Sequence, residues 1–506
     1  MLYWLYCYRF YKKHQEGETT MKKYITLLLL AAMLLASCGQ AGETETTAAD
    51  PTTTPEAVET EPETEDPYRD TVEAEDFGGR VFNLLLRDEG SEISWSIFDA
   101  VAEEATGEGI NDAIYNRNLT INEKYNVEIT GEMNKNSLNT LNNSVKAGDS
   151  TYDAAFLNTY DSGSAAQAGS LMDYGLLPDI DTAKPYWDQR CISDLSIGNK
   201  VYFLTGDIST IDKKATWILM FNKSLIADFD LESPYDVVNE GRWTIDKFQE
   251  MSADVSSDLN GDGQWTKEDQ YGLATTPDTV HGLFYSCGGT YIQKDENDLP
   301  VFDMDIELCT TILETTGIIL SNKENTLLTT NITGSANVIT DIRNCFIEGR
   351  ALFYGEVMFH VAGLREMADD FGIIPMPKLN EAQEDYVTYT NPAGPMLVVP
   401  MTTADPVCTG KVLESLASES HYTLTPAYYD IALKGKYARD TDSAAMLDII
   451  FANSVYDLTQ AYGWGTMPTS FRDLAIKGST DLASLVASRQ KTFDAAVDKF
   501  VGAFTE

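Results

Sequence analysis

Positive charge is scarce in this chain. Its 506 residues carry 36 Lys and Arg against 79 Asp and Glu, a formal net charge of −43, with only 4 histidines. Such a polyanion repels phosphate backbones and anionic lipid surfaces, and no basic run offsets it, so nucleic acid is not the expected partner. Cysteine is thin as well. Beyond residue 38 it comprises Cys191, Cys287, Cys309, Cys345 and Cys408, odd in number, irregular in spacing and without a C-x-x-C pair. Neither a disulfide framework nor a thiolate metal site is signalled, and buried thiols are expected. Apolar stretches are short: the longest, Ile25 to Leu35, has about a dozen residues, too few to span a bilayer comfortably. Together with a hydrophobic content of 43%, this excludes both a polytopic membrane protein and a fully disordered chain. H-E-x-x-H, G-x-S-x-G, the phosphate-binding G-x-x-x-x-G-K-[ST] and G-x-G-x-x-G are all missing, and His281, His360 and His421 stand alone. Two carboxylates of a glycosidase need only meet in space, so the abundance of acids argues nothing by itself. The expectation is a protein that is not an enzyme, and the length suits two or three domains.

What is present begins with a leader. Met21-Lys22-Lys23-Tyr24, the apolar run, and Leu35-Ala36-Ser37-Cys38-Gly39 form a secretory signal over residues 21–37. Its end resembles the bacterial lipobox, which implies that Cys38 is lipidated (palmitate) and becomes the mature N-terminus. Residues 1–20 precede a signal that is complete from Met21, so they read as a mis-called extension. Removing residues 1–37 leaves 77 acidic against 31 basic side chains, a net charge of −46. Residues 38–70 read as a tether. Ala41 to Asp66 holds nine acidic residues, no basic one, eight Thr and Pro51, Pro55 and Pro62, a composition that repels itself and builds no core.

From Arg80 onward, short apolar runs alternate with amphipathic stretches, the pattern of an α/β fold. Val81 to Leu86, Val127 to Thr130 and Tyr152 to Leu157 read as strands. Between them lie a helix capped by Asn111 or Asp112 and ended by Asn126, and a second helix over Ser137 to Ala147. This makes two right-handed βαβ units. Further strands are expected at Thr216 to Asn222, Ala351 to Tyr354, Phe371 to Pro375 and Met396 to Pro400, and helices at Thr244 to Ser257 and over the last hundred residues.

In order along the chain, the lipobox, the tether, Asn111-Asp112 to Tyr125-Asn126, Tyr152-Asp153-Ala154-Ala155, Leu219-Met220-Phe221-Asn222-Lys223, Arg242-Trp243-Thr244, Cys287-Gly288-Gly289 and Phe346-Ile347-Glu348-Gly349-Arg350-Ala351 resemble the extracellular solute-binding proteins of ABC importers, family 1, the maltose-binding-protein-like group. The resemblance implies a periplasmic-binding-protein-like type II fold: two α/β lobes, hinge crossovers and a ligand cleft at the carboxyl ends of the strands. By that analogy residues 71–211 and 351–400 form the N-terminal lobe, and residues 212–350 and 401–506 the C-terminal lobe.

Residues 258–269, Asp-Leu-Asn-Gly-Asp-Gly-Gln-Trp-Thr-Lys-Glu-Asp, carry the most specific motif of the body. Oxygen donors at positions 1, 3 and 5 (Asp258, Asn260, Asp262), glycine at position 6 and a carboxylate at position 12 (Asp269) match a calcium loop, with the Gln264 carbonyl and Thr266 completing the oxygen shell. A structural calcium ion is the expectation, and no catalytic cofactor is. The competing reading is an Asx-rich turn.

Sugars present apolar C–H faces and rings of hydroxyls, so their sites pair aromatic platforms with Asp, Glu, Asn and Arg. Trp95 follows the first strand, and Asn158, Tyr160 and Asp161 follow the third; the resemblance raises Tyr160 and Asp161 as sugar contacts. Trp187 and Trp217 sit near the expected hinge, either lining the cleft or buried by their strand position, Tyr285 beside Gly288-Gly289, Glu356 in a segment that often binds ligand in the family, and Asn391 in Tyr389-Thr390-Asn391-Pro392. Trp464, between Gly463 and Gly465, resembles a cleft aromatic of the second lobe, whereas Trp243 reads as packing. The resemblance thus implies a monomer on the extracellular face of a bacterial membrane, held by its lipid alone, that captures a carbohydrate by lobe closure and passes it to permease subunits. A surface glycan-binding or sensor lipoprotein without transport, and a binder of another small solute such as a peptide, remain the alternatives.

Overall fold

A computed structural model describes residues 66–88, 95–365, 367–429 and 441–505. The expected extension, signal, lipidated Cys38 and the tether up to residue 65 lie outside these described residues.

Local chemistry places the first elements. Glu108 caps the helix Gly109–Tyr125 by accepting from the amides of Ile110 and Asn111, and Asn126 ends it in the left-handed conformation, φ 47°. The cap is therefore Glu108. Asp112, one of the two expected caps, instead accepts from the Thr106 and Gly107 amides ahead of the helix. Strand Arg80–Arg87 pairs in parallel with Val127–Asn134 on one side and Ala154–Asn158 on the other, the βαβ pair that the periodicity predicts. Pro395–Val398 then joins Ala154–Asn158 antiparallel, and Phe203–Leu204 closes the edge.

A second five-stranded sheet has Trp217–Asn222 between Phe371–Ile374 and Ala351–Val357, both antiparallel to it. Ala351–Val357 continues in parallel to Tyr271–Thr275, which pairs with Thr326–Leu328. Trp217–Asn222, Tyr271–Thr275 and Ala351–Val357 are buried throughout, as strands covered on both faces by helices must be.

Two assignments of chain to lobe differ from expectation. Residues 351–374 belong with the second sheet, because Ala351–Val357 and Phe371–Ile374 hydrogen-bond to its central strand; of the expected insertion 351–400, only Pro395–Val398 is in the first sheet. The helix Pro406–Tyr422, expected in the second lobe, packs instead on Gly109–Tyr125: Tyr125 Oη lies 2.7 Å from Ser415 Oγ, and the buried Arg117 donates to Ser420 Oγ at 3.1 Å. Apolar runs report burial on both faces and do not say which sheet supplies the neighbour. The end of the tether is also docked rather than free. The Asp70 amide donates to Ser418 Oγ, Lys124 pairs with Asp70 at 2.8 Å, and the Tyr68 ring stacks on His421 at 3.7 Å.

Three chain segments run side by side where the lobes join. Thr388–Tyr389 pairs in parallel with Ser454–Val455, Thr390 bridges to Thr216, and the Asn391 amide donates to Ala215 O at 2.9 Å. Such paired crossings, short and laterally bonded, are what a hinge requires. The five body cysteines are free and buried, and among the described residues no helix is long and apolar enough to cross a membrane.

Candidate ligand site at the strand ends

The carboxyl ends of strands from both sheets converge on one region. Arg87 ends the first strand, and its Nη1 donates to Ala393 O at 2.7 Å. Asn158 caps the following helix by accepting from the Asp161 amide at 2.6 Å and returns a bond from Nδ2 to Asp161 Oδ2 at 3.1 Å. This box fixes the Asp161 carboxylate at the mouth of the strand. Burial pushes its pKa up, while the nearby Arg87 charge opposes that. Asn391 shapes the same corner: its Oδ1 accepts from the Ala393 amide, and its loop holds the carbonyl that Arg87 grips.

The second sheet contributes the opposite wall. The Trp95 ring faces Phe359 at 5.8 Å, an aromatic contact between a loop of the first lobe and the turn Met358–Leu364 after strand Ala351–Val357. Glu356, next to last in that strand, is buried, and burial pushes its pKa up to about 8; its own carboxylate accepts from the Val357 amide, which favours the charged form, and Asp278 nearby disfavours it. His360 Nε2 lies 4.0 Å from Glu356 Oε1, yet burial pushes His360 down to about 4. At neutral pH this contact is therefore a protonated acid beside a neutral imidazole, and no ion pair forms. His281 is likewise pushed down to about 4 by burial. Asp278, at the start of the same helix, pairs with Arg472 at 2.6 Å.

Among the described residues, buried polar atoms without a hydrogen-bond partner include Trp217 Nε1, His281 Nδ1, Arg472 Nε and, in the crossings, Thr388 Oγ1 and Thr390 Oγ1. Each such atom costs free energy of about 1–3 kcal/mol unless something bonds to it. A relay of side chains joins the two walls: Tyr160 Oη donates to Gln460 Oε1 at 3.0 Å, Gln460 Nε2 donates to Tyr389 Oη at 2.5 Å, and the Tyr389 ring lies 6.3 Å from His281.

Trp95, Asn158, Tyr160, Asp161, Trp217, Glu356 and Asn391 thus all lie at the strand ends or the crossings beside them. Two other candidates do not, and Tyr285 lies against a crossing but lines a different cavity. Trp187 is buried, its Nε1 donating to Glu414 Oε2 at 2.9 Å. Trp464 stacks on Tyr462 at 5.2 Å and lines a separate cavity of about 270 Å³ with Gln167 and Phe500. Tyr285 stacks on Tyr389 at 4.7 Å and lines another cavity, of about 510 Å³. Trp243 is core, with Nε1 donating to Pro375 O. Sequence reasoning missed Arg87, Asp278, His281, Phe359 and Arg472. Asp278 was findable, since it follows a strand as Asp161 does; Arg472 sits inside the helix Met467–Ile476 with no local signal.

The calcium motif folds as a tight loop after helix Ile245–Ala253. Asp258 accepts from the Gly261 and Gly263 amides at 2.8 and 2.7 Å, Asn260 and Asp262 accept from amides two residues on, and the buried Asp269 accepts from Leu259 and Thr266. Gly261 and Gly263 take φ of 71° and 74°, values that need glycine. The donor types suit a hard cation, but these side chains are directed at loop amides. Among the described residues no three His, Cys, Asp or Glu converge as a metal-holding group.

Two α/β lobes, three paired crossings and a site at the strand ends define the class of fold, that of periplasmic-binding-protein-like solute-binding proteins. Comparison with solved structures finds the same fold. UspC of M. tuberculosis matches with a TM-score of 0.53 and 16% identity over 82% of this chain and 100% of its own. A sugar transporter from Rhizobium etli in an open conformation matches with 0.52 and 13% over 84% and 98%. An ABC transporter solute-binding protein from Thermotoga lettingae bound with α-D-tagatose matches with 0.50 and 14% over 83% and 100%. No protein-family model matches the chain, and no curated protein matches it.

Proposed function

We propose that this protein is the lipid-anchored solute-binding component of an ABC importer, which captures a carbohydrate between its lobes at the extracellular face of a bacterial membrane and hands it to a permease. One observation carries the reading: the strand ends present the Trp95–Phe359 aromatic pair and the Asp161 carboxylate, while Trp217 Nε1, His281 Nδ1 and Arg472 Nε are buried without a hydrogen-bond partner. Aromatic faces flanked by unmatched hydrogen-bonding groups suit a ligand of C–H faces and hydroxyls. The sugar transporter of Rhizobium etli and the tagatose-bound protein of Thermotoga lettingae share the fold and support the solute class. Capture and release involve no bond breaking, so no catalytic residue is assigned. Cys38 is the proposed point of lipid attachment. The loop Asp258–Asp269 is separately proposed to hold a structural calcium ion, on the strength of its donor pattern.

Thermal-shift screening of oligosaccharides, monosaccharides, amino acids and peptides tests the solute class. An oligosaccharide at about 100 times its Kd adds about 2.7 kcal/mol of stability. Stabilisation by peptides alone overturns the carbohydrate reading. With a stabilising sugar in hand, Asp161→Ala and Trp95→Ala should each weaken binding by more than about 1 kcal/mol, roughly five-fold. Unchanged affinity in both variants refutes the placement of the site.

A further inference from the structure

The cavity of about 510 Å³ lined by Tyr285 is built by both lobes. One wall is the helix Gln189–Leu195, which packs against the edge strand of the first sheet; another is the loop from Gly288 to Lys294 of the second lobe; the hinge segment from Val455 to Leu458 closes it. Arg87, Trp95, Asp161 and Glu356 take no part in its lining. A hairpin, Gln293–Lys294 paired with Pro300–Val301, reaches across from the second lobe to hold the walls together. Lys294 Nζ donates to Ser193 O at 2.5 Å and to Ser196 O at 2.6 Å, while the amides of Gly198 and Asn199 donate to Asp298.

The lining carries two charges of each sign, Arg190 and Lys294 with Asp194 and Asp457, and Lys294 is also paired with Asp298 at 2.9 Å just outside it. Arg190 reaches Asp194 only at 3.7 Å and its side chain is 56% exposed, so its guanidinium retains donors to offer. Asp457 is buried. Its Oδ1 accepts from the Thr459 amide at 2.7 Å, and the Tyr285 hydroxyl lies against the carboxyl. Burial pushes this carboxyl up, although the Tyr285 hydroxyl and nearby amides favour its charged form. Balanced charge favours a neutral occupant, since a net charge placed there would lose hydration without a counter-charge. The Asp194 and Asp457 carboxyls of the lining ask for donors, and the Arg190 guanidinium asks for an acceptor. A hydroxyl is both. The volume falls within the range of small-molecule sites.

We propose that this interlobe cavity is a second solute site, separate from the strand-end site, that takes a compact neutral polyhydroxylated molecule of one or two rings. The test is saturation-transfer NMR on the whole mature protein with two probes, myo-inositol and trehalose. Transfer to at least one probe is expected in the wild type and in Asp161→Ala. It should fall at least about five-fold in Ser193→Trp, which places an indole at the rim from an exposed position, and also in Arg190→Ala, which carries the test should the bulkier variant not fold. Three results overturn the proposal: no transfer to either probe in the wild type, undiminished transfer in the folded cavity variants, or loss of transfer in Asp161→Ala alone. The last would place the probe at the strand ends and leave the proposed function standing.

Discussion

Replacing Glu356 by Gln should flatten part of the protein's dependence of stability on pH. In the folded protein burial pushes this carboxyl from 4.5 up to about 8. The fold therefore holds the proton more tightly than the unfolded chain does. Its contribution is complete below about pH 4.5 and is lost as the pH rises through about 8. At about 1.4 kcal/mol per pH unit, the whole window is worth on the order of 5 kcal/mol. His360 and His281, kept neutral by burial, refuse a proton that the unfolded chain takes up below about pH 6.5, an opposite slope that the wild type and the variant share. Glu414, pushed up to about 7, and Asp212, pushed up to about 6, titrate in the same range, so the informative quantity is the difference between two proteins that share them. Gln keeps the shape of Glu and carries no titrating proton. Urea denaturation of wild type and Glu356→Gln at about pH 5, 6.5 and 8 should show the wild type losing several kcal/mol relative to the variant across the series. Parallel curves would refute the argument that Glu356 is buried and protonated at neutral pH.

Three further outcomes are expected. A Cβ at Gly163 would overlap the Ala461 carbonyl oxygen, so Gly163→Val should push the helices Thr159–Gln167 and Leu458–Tyr462 apart at a cost of about 1–3 kcal/mol; an unchanged melting temperature counts against that close approach. Glu414 accepts from Tyr186 Oη at 2.5 Å and Trp187 Nε1 at 2.9 Å, and Glu414→Ala leaves both buried donors unmatched, a loss of about 2–6 kcal/mol that Glu414→Gln should largely avoid in chemical denaturation. Calorimetry with millimolar Ca²⁺ should show heat and a raised melting temperature that Asp258→Ala and Asp262→Ala remove; silence in the wild type means that residues 258–269 are only an Asx-rich turn.

Much of the architecture was legible because its signals are local. The run Ala154 to Asn158 is apolar enough to be a strand buried on both faces, and Asn126 ends its helix because it tolerates the left-handed turn. Asp161 was legible for a related reason, since a polar residue just past a buried strand lies at the sheet's mouth. Arg472 was not, because its role depends on Asp278, 194 residues earlier. Trp187 and Trp464 share the chemistry of sugar platforms, yet each is packed on the protein's own side chains: Glu414 and Tyr462. Residue type states what an aromatic ring can do, and packing decides whether a face is left for a ligand.

Composition and spacing over a few residues set the strands and helices, the α/β class, the thiol chemistry expected of the cysteines and the acidic character of the chain. Packing at long range brought Ala351–Val357 and Phe371–Ile374 to either side of Trp217–Asn222, laid Pro406–Tyr422 on Gly109–Tyr125, and buried Glu356 beside His360 and Asp278. Those outcomes rest on hydrogen-bond pairing and desolvation between segments far apart in the chain. Neither leaves a mark on the local pattern of residues.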